Sequence, residues 1–142
     1  MSRITVDALE QMRPQELFNF MCSELLAQGK RSTTFDGYRC QYRGEGGTKC
    51  AVGMLIPDTL YRRGFEFTSV KGLCDLMSHT HEGERAANVF IAHMDLLTHM
   101  QDIHDTVLPS EWREAMRVAA EKFGLHFSDT HGEPREVEHA VH

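Results

Sequence analysis

The chain has 142 residues, a formal charge of −6, 41% hydrophobic and 25% charged residues, the size and balance of one globular domain with one core. No apolar run approaches the ~20 residues that a bilayer span needs, so a membrane partner is not expected. An acidic chain is also a poor general binder of nucleic acid.

The first residues, Met1-Ser2-Arg3-Ile4-Thr5-Val6-Asp7, carry neither the apolar stretch nor the small-residue cleavage site of an export signal. A cytoplasmic location is therefore expected, with Cys22, Cys40, Cys50 and Cys74 as reduced thiols. Residues 1–13 read as a loose N-terminal extension, 14–127 as a single globular domain and 128–142 as a flexible polar tail. The expected class is α+β: mostly helical, with one small antiparallel β-hairpin.

In chain order, Pro14 suits the first turn of a helix, where its missing N–H costs nothing. Leu17, Met21 and Leu25 recur every four residues, and Gly29 closes the stretch. A polar connector follows. Tyr38, Cys40 and Tyr42 alternate with Arg39, Gln41 and Arg43, the period of a strand with one buried face. Gly44-Glu45-Gly46-Gly47 would turn the chain back through Thr48-Lys49, completing the hairpin. It would deliver Cys50 to the start of a short buried helix, Cys50-Ala51-Val52-Gly53-Met54-Leu55-Ile56, stopped by Pro57. The small Ala51 and Gly53 would allow close backbone packing there.

A short helical piece is expected at 57–61, one or two turns over 69–77, and a loop at 79–83. Residues 84–105 form the strongest helical pattern, with Val89, Phe90, Met94, Leu96, Leu97, Met100 and Ile103 on one arc and His93 and His104 near its middle. A last helix starts at Pro109-Ser110, carries Trp112, Met116, Ala119 and Phe123, and ends at Gly124 with Leu125 folding back.

Three groups of residues could carry chemistry. A thiol at a helix start, Cys50, could be a nucleophile with His104 as base and Asp105 or Gln101 in support; equally, a small buried cysteine suits a core. Cys40, Cys50, Cys74, His79 and His81 are ligand types that zinc accepts, but their spacing fits no zinc knuckle, so no metal or other cofactor is expected. His93 and His104, about 16 Å apart on one helix, cannot share a metal. Finally, Gly46, Gly47, Arg43 and Lys49 surround a glycine-rich turn that could hold an anion. They lie in a segment, 30–63, that carries seven basic and three acidic residues.

Two stretches, Cys40-Gln41-Tyr42-Arg43-Gly44 and Gly47-Thr48-Lys49-Cys50-Ala51-Val52-Gly53-Met54-Leu55-Ile56-Pro57-Asp58, the second followed by Tyr61, resemble a family of small uncharacterised proteins of tailed bacteriophages and prophages. Leu25-Leu26-Ala27-Gln28-Gly29-Lys30-Arg31-Ser32 and Gln101-Asp102-Ile103-His104-Asp105, followed by Trp112, resemble it too. Between Arg62 and Glu84 the chain is longer and richer in histidine than the family pattern. The resemblance implies a phage accessory product acting in the host bacterial cytoplasm, and it brings no activity with it. The leading expectation is therefore a non-catalytic binding protein for a host cytosolic component, in host takeover or counter-defence. The alternatives are a Cys50–His104 hydrolase or transferase and a protein that sequesters an anionic, nucleotide-like ligand. A host protein, a small anion and a second copy of the chain are the partners to consider.

Overall fold

The computed structural model describes residues 4–129. Among these it contains six α-helices: α1 (Val6–Gln11), α2 (Pro14–Gln28), α3 (Val70–Met77), α4 (His81–Ala92), α5 (Met94–Thr106) and α6 (Trp112–Phe123). α3 and α1 pack on α4, α5 packs on α6, and α2 lies against both α5 and α6. No helix is long and apolar enough to cross a membrane.

The core follows from the stripes. Leu17, Met21 and Leu25 of α2 meet Leu97 and Met100 of α5 and Trp112 and Met116 of α6, all fully buried. Pro14 opens α2, and Gly29 closes it in the left-handed conformation at φ 73 with its N–H on the Leu25 carbonyl. α6 ends the same way at Gly124, φ 67, and Leu125 folds back to donate to the Ala120 carbonyl at 2.7 Å.

The expected α+β class is wrong: among the described residues there is no strand and no β-hairpin, only two isolated bridges, Thr33 with Cys40 and Arg43 with Lys49. Two backbone bonds do cross the turn, Gly44 N–H to the Thr48 carbonyl at 2.9 Å and Cys50 N–H to the Tyr42 carbonyl at 3.2 Å. A ladder needs successive groups on both strands, however, and the Tyr42 N–H that would continue it is taken by a side chain. The N–H groups of Tyr42 and Arg43 donate to the Glu66 carboxylate at 2.7 and 3.1 Å, and that of Lys49 donates to the Gln28 side chain at 2.9 Å. The alternation does not define one face either, since Tyr42 is buried while Tyr38 stands in solvent.

Four helix expectations also change. Residues 6–11 are α1, not a loose extension: the Thr5 hydroxyl accepts from the Ala8 N–H at 3.0 Å, and Val6 and Leu9 are buried. Arg85 of α4 ties α1 down through Asp7 and Glu10, each at 2.6 Å. The polar stretch at 79–83 is the start of α4, capped by Thr80. The long helix at 84–105 is broken at His93, where ψ is 29, so the arc drawn through both halves does not exist as one face. Cys50 does open a helical turn, with its carbonyl accepting from Met54 at 3.0 Å, but the turn is the three-residue 3-10 piece Gly53–Leu55. That piece is too short to supply a helix dipole. Of the expected polar tail at 128–142, all but Ser128 and Asp129 lies outside the described residues.

Candidate functional site

Between α2 and α3 the chain runs through residues 29–69 with almost no regular structure, so its backbone groups need partners from elsewhere. Gln28, the last residue of α2, supplies three. Its amide nitrogen donates to the carbonyls of Lys30 and Lys49, at 2.7 and 2.9 Å, and its oxygen takes the Lys49 N–H. Glu66 takes Tyr42, Arg43 and the Tyr61 hydroxyl. Arg31 reaches across to the last turn of α5, donating to the carbonyls of His104 and Val107 at 3.0 and 2.7 Å.

The residues singled out in sequence meet on α5 as the centre of this stitching. His104 is fully buried and stacked on Trp112, with ring centres 5.8 Å apart. Its Nε2 accepts the Ser32 backbone N–H at 2.9 Å. The ring hydrogen therefore resides on Nδ1, which donates to Asp105 Oδ1 at 2.7 Å. Gln101 donates to the same oxygen at 3.1 Å and accepts the Val52 N–H at 3.0 Å. Ser32, His104, Asp105, Gln101 and Val52 thus form one continuous chain of hydrogen bonds. It pins two irregular segments to one helix face.

That arrangement argues against the nucleophile–base pair. Both ring nitrogens of His104 are occupied, and a base must have a nitrogen turned to the group it deprotonates. Cys50 is fully buried, and its sulfur accepts the Gly53 N–H at 3.3 Å. Burial pushes the thiol up to about 12, further than the bonds from Gly53 and Gln101 pull it down. Such a sulfur is protonated and sealed.

A metal fares no better. Ligand atoms of Cys40, His104 and Asp105 lie within 4.8 Å of one another. To bind a cation through Nδ1, a neutral His104 would have to carry its hydrogen on Nε2. That hydrogen would then face the Ser32 N–H, donor against donor. The donor set does not fit. His79 and His81 are exposed, and Cys74 is buried in the core.

The expected anion pocket is differently built. Gly46 and Gly47 make the turn with φ of 71 and 77. Arg43 donates to the Ile56 carbonyl at 2.7 Å and pairs with Asp58 at 2.8 Å, and Lys49 approaches the same carboxylate at 3.7 Å. The two cations at the turn thus share one carboxylate from within the segment.

No family model matches this chain, and neither a curated protein nor a solved structure does.

Sequence reading missed Gln28 and Glu66. Gln28 lies within a quoted stretch, but nothing local marks it as a backbone clamp, and Glu66 sits in a stretch without pattern. All four cysteines are free, with Cys40 and Cys74 pushed up to about 11, in each case chiefly by burial. Two results follow. Iodoacetamide at pH 8 should label the native protein slowly and label all four thiols only with unfolding. Stability should fall as pH rises from about 9 to 12, because the unfolded chain loses thiol protons that the folded chain keeps. Cys50 contributes to this loss over the whole window. Alkaline denaturation of Cys50→Ala against the parent measures this; equal slopes would refute it.

Proposed function

We propose that this protein is a non-catalytic binding module, an accessory protein of the kind the phage resemblance implies, which docks a host protein through the loop at 33–40. The observation that carries this reading is the pair Phe35 and Tyr38, each 88% exposed on a turn that is tightly held. Asp36 Oδ1 accepts from the Thr34 hydroxyl at 2.6 Å and from the Tyr38 N–H at 3.0 Å. The Gly37 N–H donates to the Thr34 carbonyl at 2.9 Å, and the Thr34 N–H donates to the Arg39 carbonyl at 2.8 Å. Below the turn, Arg39 lies over the exposed Phe67 ring at 3.7 Å.

Two large aromatic side chains held out on a rigid loop lose little conformational freedom when covered, and such residues dominate binding energy at protein interfaces. Apolar surface without a core to join costs solubility, so a partner is the simplest reason for it. The surrounding polar chain on α5 serves this reading as support that fixes the loop's base.

The test is a matched pull-down from bacterial lysate at physiological salt, parent chain against Phe35→Ser/Tyr38→Ser. Both positions are solvent-facing, so thermal stability should be unchanged. Two central aromatic contacts should cost the partner at least about 30-fold in affinity. A partner held equally by both chains would remove the loop from the interface; no retained partner at all would count against the module itself.

A further inference from the structure

α5 presents two faces. Leu96, Leu97, Met100, Ile103 and His104 are buried in the core. Thr98, Gln101, Asp102 and Asp105, spaced i, i+3, i+4 and i+7, instead line one wall of an open cavity of about 450 Å³. That volume is in the range of small-molecule sites. The opposite wall is Tyr42 and the stretch 67–71, with Phe67 and Val70 as its apolar part. The cavity adjoins the aromatic loop, since Cys40 lines it and Arg39 is stacked on Phe67. Phe67 takes φ 63, a conformation that costs a bulky residue about 1–2 kcal/mol, and it stands at the edge of this cavity.

The wall's charge is specific. Glu66 is occupied by Tyr42, Arg43 and Tyr61. Asp105 is aimed: His104 and Gln101 both hold Oδ1, while the Cys40 thiol, kept protonated by burial and by that carboxylate, stands against it. Among the described residues Asp102 makes no ion pair. Lys71 is the sole cation among the lining residues, and the Arg39 guanidinium, outside them, is engaged on the Phe67 ring. A partly enclosed wall with two carboxylates on one helix face repels an anion and leaves a neutral ligand without charge compensation.

We propose that this cavity binds a guanidinium or ammonium group carried on an apolar stem. The cation lies against Asp102 and Asp105, and the stem lies along Tyr42, Phe67 and Val70. The inference deepens the binding-module reading by giving the chemistry recognised beside the aromatic loop. One chemistry has two sources here: a free amine, or an arginine or lysine side chain of the docked protein.

Three probes separate them: agmatine, the capped peptide acetyl-Gly-Arg-Gly-amide, and the same peptide with citrulline, which is neutral and nearly isosteric. Each is titrated into the full chain and followed by backbone and side-chain amide NMR. Agmatine or the arginine peptide should shift Cys40, Thr98, the Gln101 side chain and Val70, and citrulline should not. Tighter binding of agmatine than of the peptide assigns a free amine; tighter binding of the peptide assigns a partner's side chain. Asp102→Asn/Asp105→Asn should weaken binding at least about tenfold, and Lys71→Gln should tighten it about twofold. An asparagine at 105 still accepts the His104 N–H, so the fold survives the test, and the gain at Lys71 cannot come from unfolding. Equal binding of citrulline, no shifts in the cavity at millimolar probe, or an unaffected double variant would each overturn the proposal. The Phe35→Ser/Tyr38→Ser chain should bind the arginine probe normally; failure of the docking loop and failure of the cavity are therefore read separately.

Discussion

His104→Ala should lower stability by about 3–5 kcal/mol, enough to unfold much of a marginally stable domain. Three losses combine. The Ser32 N–H loses its acceptor while still buried, which costs about 1–3 kcal/mol. The imidazole leaves a cavity against Trp112, on which it is stacked at 5.8 Å. Asp105 loses the donor that aims it. Asp105→Asn removes the charge but retains an acceptor, and it should cost well under half as much. Guanidinium denaturation followed by far-UV circular dichroism measures both. If His104→Ala costs less than ~1 kcal/mol, the ring is not a clamp and the structural account of the α5 residues fails. If the two variants cost the same, the carboxylate's charge matters and the bond geometry does not.

The contrast between motif and role explains what the sequence could convey. Gln101, His104 and Asp105 were legible as a group, because they sit on one helix with a cysteine-bearing turn elsewhere in the chain. A buried clamp for backbone groups and a catalytic set use the same residue types. The distinction is made by what His104 Nε2 accepts, and that is an N–H 72 residues away in sequence. The false hairpin has the same origin. Alternation over 38–43 is a local signal, but a strand exists only if its backbone groups go on finding another strand, and past the bridge of Arg43 with Lys49 the Tyr42 N–H goes to Glu66 instead.

Local signals were better served where the competing partner was also local. Pro14, Gly29 and Gly124 each bound a helix through their own backbone preferences. Thr5 capping Ala8 was equally local, and the polar residues around it concealed α1. The break at His93 carries no proline or glycine to mark it; across it the main packing partners change, from α3 and α1 on α4 to α6 on α5, while α3 touches both. The aromatic loop could have been read from Phe35 and Tyr38 flanking Asp36-Gly37. Exposure, which turns those residues from core candidates into an interface, is a property of the whole fold.

One sequence inference was geometric, and Gly53 gives it a sharp consequence. A Cβ built there would lie 2.0 Å from the Tyr42 carbonyl oxygen and 2.8 Å from its carbon, both backbone atoms. The same carbonyl accepts the Cys50 N–H at 3.2 Å, so it cannot retreat without breaking that bond. Gly53 also donates to the Cys50 sulfur. Gly53→Ala should therefore cost about 3 kcal/mol or more, although alanine is the better helix former and would stabilise an ordinary helical glycine. Gly46→Ala is the control. It sits at φ 71 with nothing within 4 Å of the added carbon, so only the left-handed backbone opposes it, at about 1–2 kcal/mol. Thermal or denaturant unfolding of the two variants compares them directly. A larger loss at 53 than at 46 means that the turn after Cys50 is held by contact with the 38–43 segment, and the cavity wall at Tyr42 with it. The reverse order would mean that the glycine-rich turn, and not this close approach, holds the base of the docking loop.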